Sequence, residues 1–513
     1  MLTKEWMRLQ NGSDIRGYAL EGVEGQPVNL TDDVVKAIGS AFTLWLSRKK
    51  DMAADQLRVS VGMDSRLSGP RLKAAVIKGL TAMGCQVFDC GMASTPAMFM
   101  STVTEGHAYD GGIMITASHL PFNRNGLKFF TAEGGLEAGD ITDLLSLAAE
   151  GNFPYAPVPG KVTGVDFISV YAQGLIEKIR NEVNHPQNKE KPLAGFKIVV
   201  DAGNGAGGFF VDKVLVPLGA DVTGSQYLEP DGSFPNHIPN PEDKEAMEAI
   251  TKAVLENKAD LGIIFDADVD RAGAVDKNGK EINRNRLIAM ISAIILEEHP
   301  GTTIVTDSIT SSGLKEFIEK KLGGIHHRFK RGYKNVINEA IRLNEEGQEC
   351  HLAIETSGHG ALKENYFLDD GAYLMTKILV KMARMKLKGE GSIDQLIADL
   401  AEPVEDREFR MNILVENFKE YGNQIIDDLT QYAKEQPGWM VAPDNYEGIR
   451  VAFGKDDGDG WFLLRLSLHD PLIPLNIESD SAGGVKVIAA KLLTFLENYK
   501  DLDISSIRSY VEE

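Results

Sequence analysis

Residues 57–84, LRVSVGMDSRLSGPRLKAAVIKGLTAMG, decide the fold. A short β-branched run, VSVG, gives way to Asp64-Ser65-Arg66. After Pro70 apolar residues recur at helical spacing and stop at Gly84. That reads as a strand, a polar turn and a helix. The theme returns at 196–220, FKIVVDAGNGAGGFFVDKVLVPLGA, and at 301–324, GTTIVTDSITSSGLKEFIEKKLGG. Strands alternating with helices at this spacing predict βαβ units with parallel or mixed sheets. Three such units predict three related α/β domains.

The joints follow from composition. Residues 151–164, GNFPYAPVPGKVTG, are rich in Pro and Gly and form the first linker. Residues 276–286, DKNGKEINRNR, make a polar hairpin-like break before a helix, and 386–410 lead out of the third unit. The final stretch differs: GIRVAF, GWFLLRLSL and LIPLNIES read as strands, and GGVKVIAAKLLTFLENY as a closing helix. The expected domains are 1–160, 161–284, 285–402 and a smaller α+β domain at 403–513.

The bulk numbers agree. A chain of 513 residues exceeds what a single core supports, so about three or four units are expected. The net charge of −21 argues against binding to nucleic acid or to an anionic membrane. A local cluster of donors can still bind a phosphorylated small molecule. Cys85, Cys90 and Cys350 match no metal-ligand spacing and read as reduced, buried thiols. No leader-like apolar segment or membrane-length run is visible, and the expectation is a cytoplasmic protein.

Three strand exits carry candidate chemistry. In residues 261–276, LGIIFDADVDRAGAVD, an apolar run empties into Asp266, Asp268 and Asp270. Three carboxylates at alternate positions repel one another unless a cation sits among them, and hard divalent cations such as Mg²⁺ take oxygen ligands. An EF-hand would need Gly and Glu where Arg271 and Lys277 stand. The plain alternative is an exposed acidic turn. Arg271 either pairs with these carboxylates or faces a phosphate.

In residues 351–372, HLAIETSGHGALKENYFLDDGA, Glu355, Ser357 and His359 fall within five positions. They suit either the vicinal hydroxyls of a sugar or an ordinary polar loop with a helix cap. In residues 114–130, MITASHLPFNRNGLKFF, a buried strand ends on Ser118 and His119, and Asn125-Gly126 reads as a turn returning Lys128. Continued strand geometry would send Ser118 and His119 to opposite faces, which argues against a local Ser-His dyad. A serine that carries a phosphoryl group needs a divalent cation and cationic donors. Asp266, Asp268 and Asp270 would hold the first. Lys128 and Arg271 would supply the second, unless Lys128 acts as a general base.

Taken together, these stretches resemble the α-D-phosphohexomutases, the phosphoglucomutase/phosphomannomutase superfamily, in order along nearly the whole chain. SDIRG (13–17) is similar to the N-terminal active-site motif, and VGMDSRLSGP (61–70) to a V-G-x-D-x-R-x-S segment. TASHLPFNRNGLK (116–128) resembles the phosphoserine loop. DGSFPNHIPNPE (231–242) and DADVDR (266–271) resemble the second-domain signature and the metal loop, and ETSGH (355–359) the sugar-binding loop.

The resemblance implies three α/β domains and a smaller C-terminal domain around a central cleft. It also implies a mechanism. Ser118 would be the phosphoserine. One Mg²⁺ per chain would be held by Asp266, Asp268, Asp270 and a Ser118 phosphoryl oxygen. A hexose 1-phosphate and 6-phosphate would interconvert through a bisphosphorylated sugar, with a hexose 1,6-bisphosphate as activator. Arg16, Lys128 and Arg271 would surround the transferring group, and His359 is a further acid/base candidate. Glu355 and Ser357 would hold sugar hydroxyls. Arg465, Ser467 and His469 would meet the substrate phosphate. The implied partner is a small phosphosugar, and the chain would be a monomer or homodimer.

Three departures stand out. Leu120 replaces the Asn that usually follows Ser-His, and Ala267 replaces a Gly of the metal loop. The last domain reads RLSLHDPLIP (465–474) where the family has R-x-S-G-T-E-P and a later Arg. Arg465 and Ser467 remain, and His469 offers a donor in partial compensation. The basic stretch HHRFKRGYK (326–334) either helps or is a solvated turn. A mutase with an altered phosphate grip is the leading reading. The runners-up are a phosphosugar phosphatase or phosphotransferase, and a non-catalytic phosphosugar-binding relative.

Overall fold

The computed structural model describes residues 3–467 and 470–513. The chain divides into two compact units, one of residues 1–287 with 357–395 and one of 288–356 with 396–513.

The first unit contains the largest sheet. Its strands are β1 (Gln10–Asn11), β2 (Asp14–Tyr18), β3 (Arg58–Met63), β4 (Gln86–Met92), β5 (Gly111–Ile115), β6 (Arg124–Thr131), β7 (Gly134–Gly135) and β8 (Val162–Gly164). The order is β1-β2-β6-β5-β3-β4-β8, with β7 paired to β6. β3 runs parallel to β4 and β5, whereas β6 is antiparallel to β5 and β2. The sheet is mixed, and β8, beyond the Pro/Gly-rich segment, still adds to it in parallel with β4.

The helices Asp32–Lys50 and Gly69–Ala82 pack together. The first starts at Thr31, whose hydroxyl accepts the Val34 N–H, and it carries Asp32 and Asp33 in its first turn and three basic residues in its last. Both ends suit the helix dipole. The two helices meet through Gly39 and Gly79: a Cβ on Gly79 would lie 2.1 Å from the Lys36 carbonyl oxygen. Only glycine permits that approach.

A second mixed sheet, in the order β12-β11-β10-β9, follows from β9 (Ile198–Asp201), β10 (Leu261–Phe265), β11 (Ala272–Asp276) and β12 (Glu281–Ile282). β9 and β10 are parallel, and β10 and β11 form a hairpin. The helical pattern expected after β9 winds partly as a π-helix, Val211–Leu215.

In the second unit β13 (Thr303–Asp307) lies between parallel β14 (Ile325–Phe329) and β15 (Cys350–Ile354). Much of the basic stretch expected either to aid phosphate binding or to form a solvated turn is β14. His326 is buried and bonds Thr306 Oγ1 at 2.8 Å, and Arg328 donates to the Ser311 carbonyl at 2.8 Å. After β15 the chain re-enters the first unit as the hairpin β16 (Gly360–Leu362) and β17 (Leu368–Asp369) and the helix Gly371–Lys388.

The C-terminal part is an antiparallel sheet, β18-β22-β21-β20-β19. Its strands are β18 (Glu405–Asn412), β19 (Met440–Val441), β20 (Ile449–Phe453), β21 (Gly460–Leu464) and β22 (Leu472–Ser479). The helices Phe418–Glu435 and Gly484–Leu496 cover it through Ile425, Leu429, Ile488 and Leu492. β21 stops at Leu464, short of the expected RLSL. A further helix, Ser505–Glu512, follows the closing one. The three cysteines are buried thiols, and burial raises Cys85 and Cys90 to about 12. Among the described residues no helix is long and apolar enough to cross a membrane.

Candidate active site

The loop after β5 holds Ser118. The strand geometry expected to continue through Ser118 breaks there: the residue takes a left-handed φ of 52°. His119 is therefore not sent to the opposite face, and its Nδ1 lies 3.4 Å from Ser118 Oγ. The expected turn at Asn125-Gly126 is also displaced. Both residues lie within β6, and the turn is made at Pro121, whose carbonyl accepts the Arg124 N–H at 2.9 Å. A Cβ on Gly126 would meet the Ile15 carbonyl of β2 at 2.3 Å, so this glycine serves strand packing rather than a turn.

The loop is held from behind by Arg66, a buried guanidinium that donates to four of its carbonyls. These are Ser118 at 2.5 Å, Pro121 at 2.9 Å, Arg124 at 3.0 Å and Leu120. Thr116 Oγ1 accepts the Ser118 N–H at 2.9 Å and donates to Asp64 Oδ2 at 2.7 Å. Asp64 in turn lies 3.5 Å from Arg66 Nε. Burial pushes the Asp64 carboxyl up to about 6.

The acidic loop between β10 and β11 faces this serine. Asp266, Asp268 and Asp270 are fully buried, which excludes the exposed acidic turn. Ser118 Oγ donates to Asp266 Oδ2 at 2.8 Å. Lys128 Nζ, on β6, donates to Asp268 Oδ2 at 3.1 Å and also pairs with Asp270. Thr95 Oγ1 donates to Asp268 Oδ2 at 2.5 Å. Val269 holds a φ of 68°, costly for a β-branched residue, so the loop is strained to turn its carboxylates inward.

Arg271 joins the two loops. It donates to Asp266 Oδ2 at 3.1 Å, Ser118 Oγ at 2.8 Å, His119 Nδ1 at 2.5 Å and Asn240 Oδ1 at 3.1 Å. Gly371 allows the backbone behind it to close, since a Cβ there would lie 2.6 Å from the Arg271 carbonyl carbon. Arg16, on β2, pairs with Asp14 at 3.1 Å. His359 Nδ1 bonds Asp369 Oδ2 at 2.5 Å and lies 3.9 Å from Asp270 Oδ1.

These neighbours set the protonation states. Burial, with the charges of Asp268 and Asp270, raises Asp266 well above the usual carboxylate range. Burial acts the same way on Asp270, but the charges of Lys128, His359 and Arg271 outweigh it and hold its carboxyl low. Burial and the cations Arg271 and Arg16 push His119 down to about 2, so it is a neutral acceptor. Burial works against charge on His359, but Asp369 and Asp270 raise it to about 9, so it is an imidazolium at neutral pH.

The three aspartates lie within 4.8 Å of one another through one oxygen each, and the buried Oδ1 atoms of Asp268 and Asp270 have no hydrogen-bond partner among the described residues. Buried carboxylate oxygens without donors fit a hard divalent cation.

The structure thus brings Ser118, Lys128, Arg16, Arg271, His359 and the three aspartates together in the first unit. Ser357 also belongs to that unit and is buried. Glu355 belongs to the second unit, where its carboxylate accepts the Gly332 N–H at 2.6 Å. Arg465 and Ser467 follow β21 there, and the Ser467 hydroxyl accepts the Asp470 N–H at 3.3 Å. His469 lies outside the described residues. Sequence reasoning missed His119, Arg66, Thr95, Asn240 and Asp369 as parts of the site. The pair Asp369-Asp370 just ahead of the helix Gly371–Lys388 was the one local signal for the last of these.

Three family models match the chain: "Phosphoglucomutase/phosphomannomutase, alpha/beta/alpha" domain I over residues 7–150, domain II over 173–279 and domain III over 283–404. The chain is 30% identical to a phosphoglucomutase of Neisseria gonorrhoeae, over 94% of this chain and 96% of that protein. It is 32% identical to a phosphomannomutase/phosphoglucomutase of Pseudomonas aeruginosa, over 91% of this chain and 92% of that one. A solved phosphoglucomutase/phosphomannomutase family protein of Burkholderia thailandensis superposes with a TM-score of 0.75 at 26% identity, covering 97% and 98% of the two chains.

Proposed function

Because the chain belongs to the phosphoglucomutase/phosphomannomutase family, we propose that it is a phosphohexomutase. It interconverts a hexose 1-phosphate and its 6-phosphate through a phosphoserine at Ser118 and a bisphosphorylated sugar. One observation carries the reading: the Ser118 hydroxyl lies between the Arg271 guanidinium and Asp266, beside a buried carboxylate cluster with two unpartnered oxygens.

Asp266, Asp268, Asp270 and a Ser118 phosphoryl oxygen would hold one Mg²⁺, which screens the charge of the transferring group. The protein's own groups do the rest. Arg271, already bonded to the serine oxygen, follows the phosphoryl group as the Ser118 O–P bond breaks and a bond to a sugar hydroxyl oxygen forms, the proton that the hydroxyl loses being made up by the one that the departing Ser118 oxygen gains. Arg16 adds a second guanidinium. The ion pairs of Lys128 to Asp268 and Asp270 cast it as a cation beside the same group rather than a base. His359, protonated through Asp369, hydrogen-bonds a sugar oxygen and gives up its proton only to a sugar oxygen that leaves when a phosphoryl group returns to Ser118. His119 buttresses Arg271 as a neutral acceptor.

The bisphosphorylated sugar then turns over and returns its other phosphoryl group to Ser118. A hexose 1,6-bisphosphate restores any enzyme that has lost its phosphoryl group. Glu355 and Ser357 hold sugar hydroxyls, and Arg465, Ser467 and His469 hold the phosphate that is not being transferred. These roles fall to four segments: 1–160 for the serine, 161–284 for the cation, 285–402 for the sugar and 403–513 for the phosphate. The protein works in the cytoplasm on a free phosphosugar, as a monomer or homodimer.

The test is intact mass followed by a substrate panel. A fraction of the protein should be one phosphate heavier, with the phosphate on Ser118. Glucose 1-phosphate or mannose 1-phosphate should isomerise with Mg²⁺ and the bisphosphate. An unmodified Ser118 with no isomerisation across the panel, including glucosamine 6-phosphate, overturns the reading. A second reading, a phosphosugar phosphatase or phosphotransferase, is favoured by the altered loop at 465–474. There Ser467 already accepts a backbone N–H from Asp470, and Pro474 is taken into β22. Release of free phosphate without isomerisation would select it.

A further inference from the structure

The helix Arg284–Glu298 gives way to His299. Pro300 then lacks an N–H, and Gly301 takes a φ of 82°. The His299 N–H donates to the Ile295 carbonyl at 2.7 Å, and its own carbonyl accepts the Thr302 N–H at 3.2 Å. At the start of β15 the Glu349 carbonyl accepts the Thr303 N–H at 2.9 Å. These backbone bonds anchor three side chains side by side. The His299 and His351 rings stack with centroids 3.6 Å apart and planes 10° apart. His351 Nε2 lies 2.7 Å from Glu349 Oε1, and one ligand atom from each of the three residues falls within 4.8 Å of the others.

We propose that His299, Glu349 and His351 form a second cation site, which takes one transition-metal ion of the Zn²⁺ type rather than Mg²⁺. The donor set decides the metal. The aspartate cluster offers only carboxylate oxygens, as hard cations require, whereas two imidazoles and one carboxylate suit zinc and its neighbours. Three protein ligands leave one position for water. In a tetrahedral zinc site the ligand atoms lie about 3.3 Å apart and each ring plane contains the ion, so binding swings the two stacked imidazoles out of their parallel arrangement by a change of rotamer until both nitrogens point at it. Glu349 is exposed, which gives the ion a path. The carbonyl end of the helix before His299 favours a positive charge. The ligands sit at a helix end and on a strand, so a bound ion staples the two and stabilises the second unit by mass action.

The experiment uses the full chain without a histidine tag and Zn²⁺ alone as the probe. Equilibrium dialysis against Zn²⁺ in a large excess of Mg²⁺ should leave one Zn²⁺ per chain, and Zn²⁺ should raise the unfolding midpoint. His299→Ala and His351→Ala should each weaken that binding by at least about 100-fold, and Glu349→Gln by about tenfold. Should a variant not fold, Co²⁺ bound to the unaltered chain decides, through the intense visible bands of a low-coordinate site with nitrogen ligands. Three outcomes overturn the proposal: Zn²⁺ that Mg²⁺ strips away, Zn²⁺ retention unchanged in both histidine variants, or a weak Co²⁺ spectrum of the all-oxygen octahedral kind.

Discussion

Ser118 Oγ donates to Asp266 Oδ2 at 2.8 Å, although 148 positions separate the two residues. One stands just past β5 of the first sheet and the other just past β10 of the second, so two strand exits meet at a single hydrogen bond. That contact couples the proposed nucleophile to the proposed cation site before any phosphate arrives. Ser118→Ala removes the phosphoryl acceptor and leaves the surrounding carboxylates in place. Turnover should fall by at least about 10³-fold, as when other enzymes lose a nucleophile. The phosphorylated fraction should vanish from the intact mass. Loss of the hydrogen bonds to Asp266 and from Arg271 should lower stability by about 1–3 kcal/mol, which urea unfolding can measure.

Asp268 and Asp270 each keep one buried oxygen without a hydrogen-bond partner among the described residues. A cation is the partner that would satisfy both. Asp268→Asn and Asp270→Asn should each raise the Mg²⁺ concentration for half-maximal activity by at least about tenfold. A chelator should abolish activity in the unaltered chain, and added Mg²⁺ should restore it. A magnesium titration of initial rates checks both statements.

The carboxylate cluster was legible because alternate aspartates after an apolar run have few other uses. The mixed sheets were legible because β-branched runs alternate with helical spacing. The Ser118 loop was misread in two places, each for a local reason. A left-handed serine is uncommon, and nothing in T-A-S-H announces one, so His119 went to the wrong face. Asn-Gly is a strong turn signal, yet here the glycine is needed because β2 crowds its Cα. Arg66 and Thr95 were missed as site residues because their partners are distant in sequence: backbone carbonyls for the first, Asp268 for the second. Pairings of that kind leave no periodic trace.

Arg66 offers a prediction about positioning. Its guanidinium serves four carbonyls of the Ser118 loop in a site closed to water. Arg66→Met removes a buried donor from each of those carbonyls and the counter-charge from Asp64, which keeps the Thr116 hydroxyl, and should cost about 3–5 kcal/mol in urea unfolding. Arg66→Lys should not restore the loss, because one ammonium cannot span acceptors placed for a planar fork. In folded Arg66→Lys protein, turnover should fall while Mg²⁺ dependence stays close to that of the unaltered chain.

Asp370 predicts the acid dependence of stability. It caps the helix Gly371–Lys388, accepting the Tyr373 N–H at 2.9 Å and the Tyr171 hydroxyl at 2.6 Å. Burial nevertheless raises its carboxyl to about 6, from an ordinary value of 3.8. Between those two values the folded state holds a proton that the unfolded chain has released, so this group adds stability as pH falls through that window and removes it as pH rises. Asp370→Asn should lose this slope. Between about pH 4 and pH 7 the unaltered chain should lose up to ~3 kcal/mol relative to the variant, read from urea unfolding at several pH values.

Arg465 separates the two functional readings. It lies just past β21 and is buried, and its Nε has no hydrogen-bond partner among the described residues. Burial and the nearby Arg331 charge both work against its own charge and lower its pKa. A buried cation with unmet hydrogen-bonding capacity is a ready seat for an anion, and a phosphate would satisfy it with a charge-assisted bond. If this seat grips the non-reacting phosphate, Arg465→Ala removes binding that ground state and transition state share. KM for the phosphosugar should then rise by about 10- to 100-fold with kcat little changed. Inorganic phosphate should inhibit the unaltered chain competitively, and the variant correspondingly less. An unchanged KM, together with phosphate release in place of isomerisation, would show that the altered loop has given up its grip and would move the protein to the phosphatase reading. Steady-state rates over a substrate series at fixed Mg²⁺ and bisphosphate decide between them.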